Sequence, residues 1–196
     1  MPKRPAIPKA TSEAVLKEYR HLCAVCAKPA PQLHHLDEDP SNNDPLNLLP
    51  LCPNCHLQDA HDPTSPPNPR KLRLFRIHKD PLILDPRFHP FFLRLLPVRD
   101  KERRKNQPKI YGHQVNELMK FIGEFQMGEF YRKKVLALLN NPTSEYKLKL
   151  ILDGDKTAAS LDKQSIWDDA LSWSFDQIDG FVVELIRYQG WNNHPL

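Results

Sequence analysis

Four cysteines stand in two pairs, Cys23-Ala24-Val25-Cys26 and Cys52-Pro53-Asn54-Cys55, and no other cysteine occurs in the 196 residues. Two thiolates from one tight turn can bind the same ion, and two such turns complete a tetrahedral S₄ site of the kind zinc prefers. Paired CxxC motifs in a chain with no secretory features predict metal rather than disulfides. Twenty-five residues separate the pairs, which is longer than a plain zinc ribbon needs, so something is built between them. Within that interval lie His34 and His35, then Asn47, and His56 directly follows Cys55. His61 lies five residues further on. A neutral imidazole serves as a metal ligand or as a general base near neutral pH, and an asparagine carboxamide can orient such a base by accepting its other N–H. If His34 and His35 lie on one extended strand they point to opposite sides, so one can face a metal and the other a substrate.

These residues need a scaffold, and the rest of the chain suggests one. Hydrophobic content of 40% with 27% charged residues suits a packed soluble protein. Twenty prolines against six glycines predict long, ordered but irregular connections. Thr11 or Ser12 is expected to cap a short helix over Glu13 to Arg20. Asp62 to Asn68 reads as a turn-rich linker. Residues 70–99 alternate apolar residues with basics and prolines, and predict an arm of short strands or turns, followed by a basic linker at Lys101 to Lys105. Further on, Val115, Leu118, Met119, Ile122 and Phe125 follow helical spacing, in a stretch ending near Leu139. Two more helices are expected, over Leu161 to Trp173 and over Phe175 to Tyr188, with Gly190 as C-cap. The expected organisation is therefore residues 1–62 as a metal-stapled module, 63–110 as a basic arm and 111–196 as a helical domain.

Charge follows the same division. Residues 1–62 carry six Lys/Arg and eight Asp/Glu, residues 63–110 thirteen and four, and residues 111–196 nine and twelve. A segment of net +9 beside a candidate reactive site suggests a phosphate backbone as ligand. Arg70, Lys71, Arg73, Arg76 and Lys79 are the expected phosphate contacts. No apolar run is long enough for a membrane span, and the start Met1-Pro2-Lys3-Arg4-Pro5 lacks a signal peptide's apolar core, so a cytoplasmic protein is expected.

The order Cys-x-x-Cys, His-His, Asn-Leu-x-x-Leu-Cys-x-x-Cys-His resembles the HNH endonuclease family over residues 15–61. The resemblance implies an α+β chain that begins with a ββα-metal module stapled by Cys₄ zinc. It implies His34 and His56 as ligands of a catalytic divalent ion, with His61 as a third. That ion is expected to be Mg²⁺ or Mn²⁺, with Ni²⁺ or Zn²⁺ as alternatives. His35 corresponds to the general base, and Asn47 to the residue that orients it and steadies the loop. Where many members have Gly-Gly, this chain has Ser41-Asn42-Asn43-Asp44, in which Asn is expected to tolerate left-handed backbone. Asp37, Glu38 and Asp39 crowd the site and read either as groups that support its ligands or, by preference, as solvated loop charges. The implied activity is hydrolysis of phosphodiester bonds in DNA, with RNA not excluded, as the nuclease subunit of a restriction or defence assembly. The helical part is the expected surface for a protein partner or a second copy, with Trp167, Trp173 and Trp191 read either as part of that surface or, by preference, as ordinary core. The competing expectation is a zinc-ribbon nucleic-acid-binding or interaction module without catalysis.

Overall fold

The computed structural model describes residues 5–56, 69–153 and 163–191. They form a mixed, mainly helical structure with a two-stranded sheet, and the chain divides into two compact units, Met1–Phe92 and Leu93–Leu196.

The first unit opens with α1 (Lys9–Glu18). Its N-cap is Pro8, with no side-chain cap, so the helix begins four residues before the expected Glu13. The two strands, β1 (Gln32–His35) and β2 (Leu48–Leu51), pair antiparallel, with His34 opposite Leu49 and His35 opposite Leu48. β2 is buried along its whole length, and Leu48, Leu49 and Leu51 are each 0% exposed. Burying three leucines at about 1.5–3 kcal/mol each outweighs any single polar contact here, so this strand anchors the unit. The short helix α2 (Pro53–Cys55) follows at once.

α3 (Pro69–His78) comes next, then 3-10 turns at Pro81–Leu84 and Pro86–Phe88, and then α4 (His89–Val98), within which the boundary between the units falls. The segment read as strands or turns is thus largely helical, and Lys101 to Lys105 belongs to a helix, α5 (Lys101–Asn106), rather than a linker. The physical reason lies in the prolines. Pro45, Pro81 and Pro86 each stand in the first turn of a 3-10 segment whose N-cap is an aspartate accepting a backbone N–H two residues on. Pro53 and Pro108 likewise stand in the first turn of α-helices, there without a side-chain cap. At that position the missing N–H would have had no partner anyway, so these prolines start elements instead of interrupting them, whereas Pro97 lies inside α4.

In the second unit α5 is followed by α6 (Pro108–Gly123), α7 (Gly128–Asn140), α8 (Pro142–Leu152) and α9 (Lys163–Trp191). α7 and α8 both pack on α9, and α6 packs on α5 and α7. The helical stretch expected through Leu139 is broken at Met127, whose φ of 65° is left-handed. Gly128 follows, and a Cβ there would run into the Ile122 carbonyl oxygen. The two expected helices at the end of the chain are one. Ser174, at their supposed junction, is fully buried, and Ile178, Val182, Leu185 and Ile186 carry the apolar stripe onward. Gly190 lies inside this helix and does not cap it. Gln189 donates to the Gln126 carbonyl at 2.9 Å, fixing the α6–α7 turn against α9. No helix among the described residues is long and apolar enough to cross a membrane.

Candidate metal and histidine centre

The first cysteine pair sits on a tight turn. Cys23 N–H donates to the Lys28 carbonyl at 2.8 Å and Ala27 N–H to the Cys23 carbonyl at 2.9 Å. Ala27 takes up left-handed backbone, φ 56°, which costs an L residue about 1–2 kcal/mol. Ala24 N–H donates to the Pro50 carbonyl at 2.8 Å, stitching this turn to β2 just before the second pair. All four sulfurs then lie within 4.8 Å of one another, and Cys26 Sγ is 3.5 Å from Cys52 Sγ. A tetrahedral ion with metal–sulfur bonds of about 2.3 Å needs sulfurs about 3.8 Å apart, so the four cysteines fit such an ion. Cys23, Cys52 and Cys55 are buried and Cys26 is exposed. The Cys55 backbone N–H, with neighbouring thiols, holds the Cys52 thiol down to about 7. Burial and the adjacent sulfurs push the Cys55 thiol up. Four thiols this close do not all ionise unless a cation sits among them, which is the service a metal provides.

The histidines converge beside this cluster. His56 N–H donates to the Cys52 carbonyl at 2.8 Å, so His56 continues the turn of α2 and faces β1. His34 Nδ1 and His56 Nε2 are 3.1 Å apart, with the rings near perpendicular at 86°. That distance serves a hydrogen bond in which one ring donates. It also fits two nitrogens on one ion, because bonds of about 2.1 Å then subtend about 95°. Among the described residues the four cysteines are the one group of three or more metal-binding side chains. His61, the expected third ligand, lies outside the described residues.

His35 points the other way. It is 2% exposed, and its Nε2 is 3.3 Å from Asn43 Oδ1. Asn47, expected to orient this histidine, directs its carboxamide elsewhere. Its Oδ1 accepts from Asp37 N–H at 3.1 Å, and its Nδ2 donates to Asp37 Oδ1 at 2.8 Å and to the Asn42 carbonyl at 3.0 Å. The backbone of Asn47 still touches the site, since Leu36 N–H donates to its carbonyl at 2.8 Å. Asn47 therefore closes the loop between the strands, and Asn43 is the amide at His35.

Asp37 is the hub of that loop rather than a merely solvated charge. Its carboxylate accepts from Asn42 Nδ2 at 2.6 Å, from Asn47 and from Asp39 N–H at 2.9 Å. Burial pushes its carboxyl up, but the hydrogen bonds of Asn47, Asn42 and backbone amides outweigh this and hold it below the usual carboxylate range. Ser41, through hydroxyl and backbone N–H, similarly lowers Asp39. The left-handed residue of the loop is Glu38, φ 62°, and not an asparagine of the Ser41–Asp44 run.

The expected phosphate contacts divide. Arg76 is 3% exposed and fully engaged, so it is a structural residue and not a phosphate grip. Its Nη1 and Nη2 donate to the two Glu18 oxygens at 2.8 and 2.7 Å. The same groups reach Tyr19 Oη at 3.3 Å and the Pro45 carbonyl at 3.1 Å, and Nε reaches the Leu48 carbonyl at 3.0 Å. Burial works against its charge, but the Glu18 hydrogen bond prevails and strengthens it. Lys79 Nζ also pairs with Glu18, at 2.6 Å, while remaining 56% exposed. Arg73 is exposed on α3 and Lys71 is partly so. Lys71 bears electrostatically on Asp85 and His89. The side chain of Arg70 lies outside the described residues. Sequence reasoning missed Glu18, Tyr19 and Asn43. For Asn43 a signal existed in its place within the asparagine-rich loop after the histidines, whereas no local pattern connects Glu18 to Arg76.

Comparison of the chain with protein-family models, with curated proteins and with solved structures gave no match.

Proposed function

We propose that this protein is a metal-dependent endonuclease of the HNH kind acting on DNA, with its reactive centre at His34, His35 and His56. The observation that carries the reading is the approach of His34 Nδ1 to His56 Nε2 at 3.1 Å, one residue from a Cys₄ cluster. Zinc is the ion proposed for the cysteines, because four thiolates in a compact tetrahedral arrangement are its preferred set. Mg²⁺ or Mn²⁺ is proposed for the histidines. A divalent ion there would supply a Lewis acid for a phosphate oxygen.

The chain's own residues supply the rest. His34 and His56 present their nitrogens from a strand and from a helical turn, so backbone hydrogen bonds fix both. His35, on the opposite side of β1, accepts the proton of the attacking water. Asn43 biases which ring nitrogen of His35 carries a proton. Arg73, Lys71 and Lys79, each exposed or partly so, offer charge to the phosphate backbone, giving binding that weakens steeply with salt.

One observation favours a second reading, a metal-stapled binding module without catalysis: His35 is 2% exposed. Nicking of supercoiled plasmid in the presence of Mg²⁺ or Mn²⁺ separates the two. The nuclease reading expects cleavage that His35→Ala abolishes, with metal content and DNA binding retained. Cleavage at the parental rate by that variant would sink the assignment. DNA binding without cleavage in either protein would establish the second reading.

A further inference from the structure

The second unit contains a cavity with no part in the centre described above. It has a volume of about 520 Å³ and lies between α5 and α9. Lys101, Arg104 and Lys105 contribute cations to its wall, Trp167 an indole and Asp168 a carboxylate, with Leu171 buried beneath. Glu102 also lines it and is occupied by Asn106 Nδ2 at 3.0 Å. We propose that this cavity binds a nucleoside phosphate.

Three features converge on that ligand class. Trp167 is 38% exposed, although a large aromatic of a packed helix is ordinarily covered. Arg104 stands over the ring, and the exposed indole surface that lines the cavity offers a stacking platform for a base of any identity. Beside it, two of the three cations are held in position. Arg104 donates from Nη2 to the Leu139 carbonyl at 2.8 Å and stands 5.5 Å from the centroids of both Tyr111 and Trp167. Lys101 Nζ is steadied by Ser172 Oγ at 3.1 Å. Arg104 Nη1 is buried and Nη2 is held by Leu139, so Arg104 adds positive charge to the wall, while Lys101 and the exposed Lys105 carry the ammonium donors for phosphate oxygens. Finally, Asp168 lines the same cavity, and a carboxylate has enough lone pairs to accept from ribose hydroxyls beside the contact it already makes. The volume falls within the range of small-molecule sites. The ligand is thus a free nucleotide or the terminal nucleotide of a strand, and the inference stands independently of the nuclease reading.

The test is calorimetric titration of the full chain at about 0.15 M ionic strength, where loose surface attraction is screened. The probes are ADP, adenosine, inorganic pyrophosphate and a 5′-phosphorylated oligothymidylate. ADP is expected to bind at least tenfold tighter than either adenosine or pyrophosphate. Trp167→Ala is expected to weaken it at least tenfold and Lys105→Gln about threefold or more. Lys105 is exposed, so this second variant keeps the test valid should Trp167→Ala prove unstable by thermal melting. Binding of the oligonucleotide alone, lost in the same variants, would also support the site and identify a strand end as the source. Pyrophosphate binding as tightly as ADP, binding unchanged in both variants, or no binding of ADP and strand alike would overturn it.

Discussion

The Arg76 guanidinium meets the Glu18 carboxylate edge to edge, with two nitrogen–oxygen distances of 2.8 and 2.7 Å, across 58 residues of sequence. An arginine has five N–H donors in a rigid fork. Here they find five acceptors: both Glu18 oxygens, Tyr19 Oη and the carbonyls of Pro45 and Leu48. One side chain thus joins α1, α3 and the start of β2, the strand that holds the cysteine and histidine centre.

Arg76→Ala is expected to destabilise the first unit by about 3 kcal/mol, the lower end for a broken buried pair because Glu18 retains 30% exposure. Arg76→Lys should recover less than half of this, since an ammonium cannot form the paired fork. Urea unfolding of the two variants provides the check. Equal stability of Arg76→Lys and the parent would show that charge alone matters.

Glu18 also sets a pH dependence. Hydrogen bonds and charge from Arg76 and Lys79 exceed the opposing effect of burial and lower its carboxyl from the usual 4.5. A depressed folded-state value means the unfolded chain takes up the proton more readily. The contribution is therefore complete above about pH 4.5 and is lost as pH falls through the lower folded value. Glu18→Gln should flatten the stability curve in that acid window. Thermal melts of both proteins between neutral pH and pH 3 would read it, and parallel curves would refute it.

Removal of the cluster metal should unfold the centre, not merely silence it, because binding such an ion is coupled to folding. Cys52→Ser, or a strong chelator, is expected to abolish the metal equivalent at the cysteines and collapse the His34 and His56 resonances to random-coil positions. His34→Ala should leave that equivalent in place. Elemental analysis beside histidine NMR spectra makes the comparison. A Cys52→Ser protein with native histidine signals would contradict it.

The loop between the strands gives a fourth expectation. Asn47→Ala removes three hydrogen bonds and Asp37→Asn weakens the same hub, so each should cost about 1–2 kcal/mol. The two changes should be far from additive, as they strike one network. A double-mutant cycle measured by chemical denaturation decides this. Asn43→Ala should leave stability nearly unaltered and instead displace the pH profile of any His35-dependent activity.

The sequence made the centre more legible than the scaffold. Cysteine spacing led directly to sulfurs within 4.8 Å of one another, because two residues between thiols leave a tight turn little choice. The placement of His34 and His35 on opposite sides of β1 follows from strand alternation alone. The partners of Asn47 and His35 were not legible, since one loop offers Asn42, Asn43 and Asn47 as interchangeable amides and only the chain's path selects among them. The helical segments after residue 69 were obscured by their own prolines: Pro81 and Pro86 are first-turn residues behind an aspartate, Pro108 opens a helix behind Gln107, and Pro97 lies inside α4. Likewise, the bond of Arg76 with Glu18 depends on tertiary packing, and composition showed only a basic residue in a basic stretch.

The bond from His56 N–H to the Cys52 carbonyl also determines where this chain can change length. Adding one residue between Cys55 and His56 would turn the imidazole by about 100° around the helix axis and carry it away from His34. Between Leu36 and Asn47 the chain has only to leave one strand and enter the next, its ends held by a backbone bond and the Asp37–Asn47 contacts. Insertions and deletions should therefore accumulate in that loop, while the four-residue step from Cys52 to His56 stays constant in any descendant, natural or engineered, that keeps both sites.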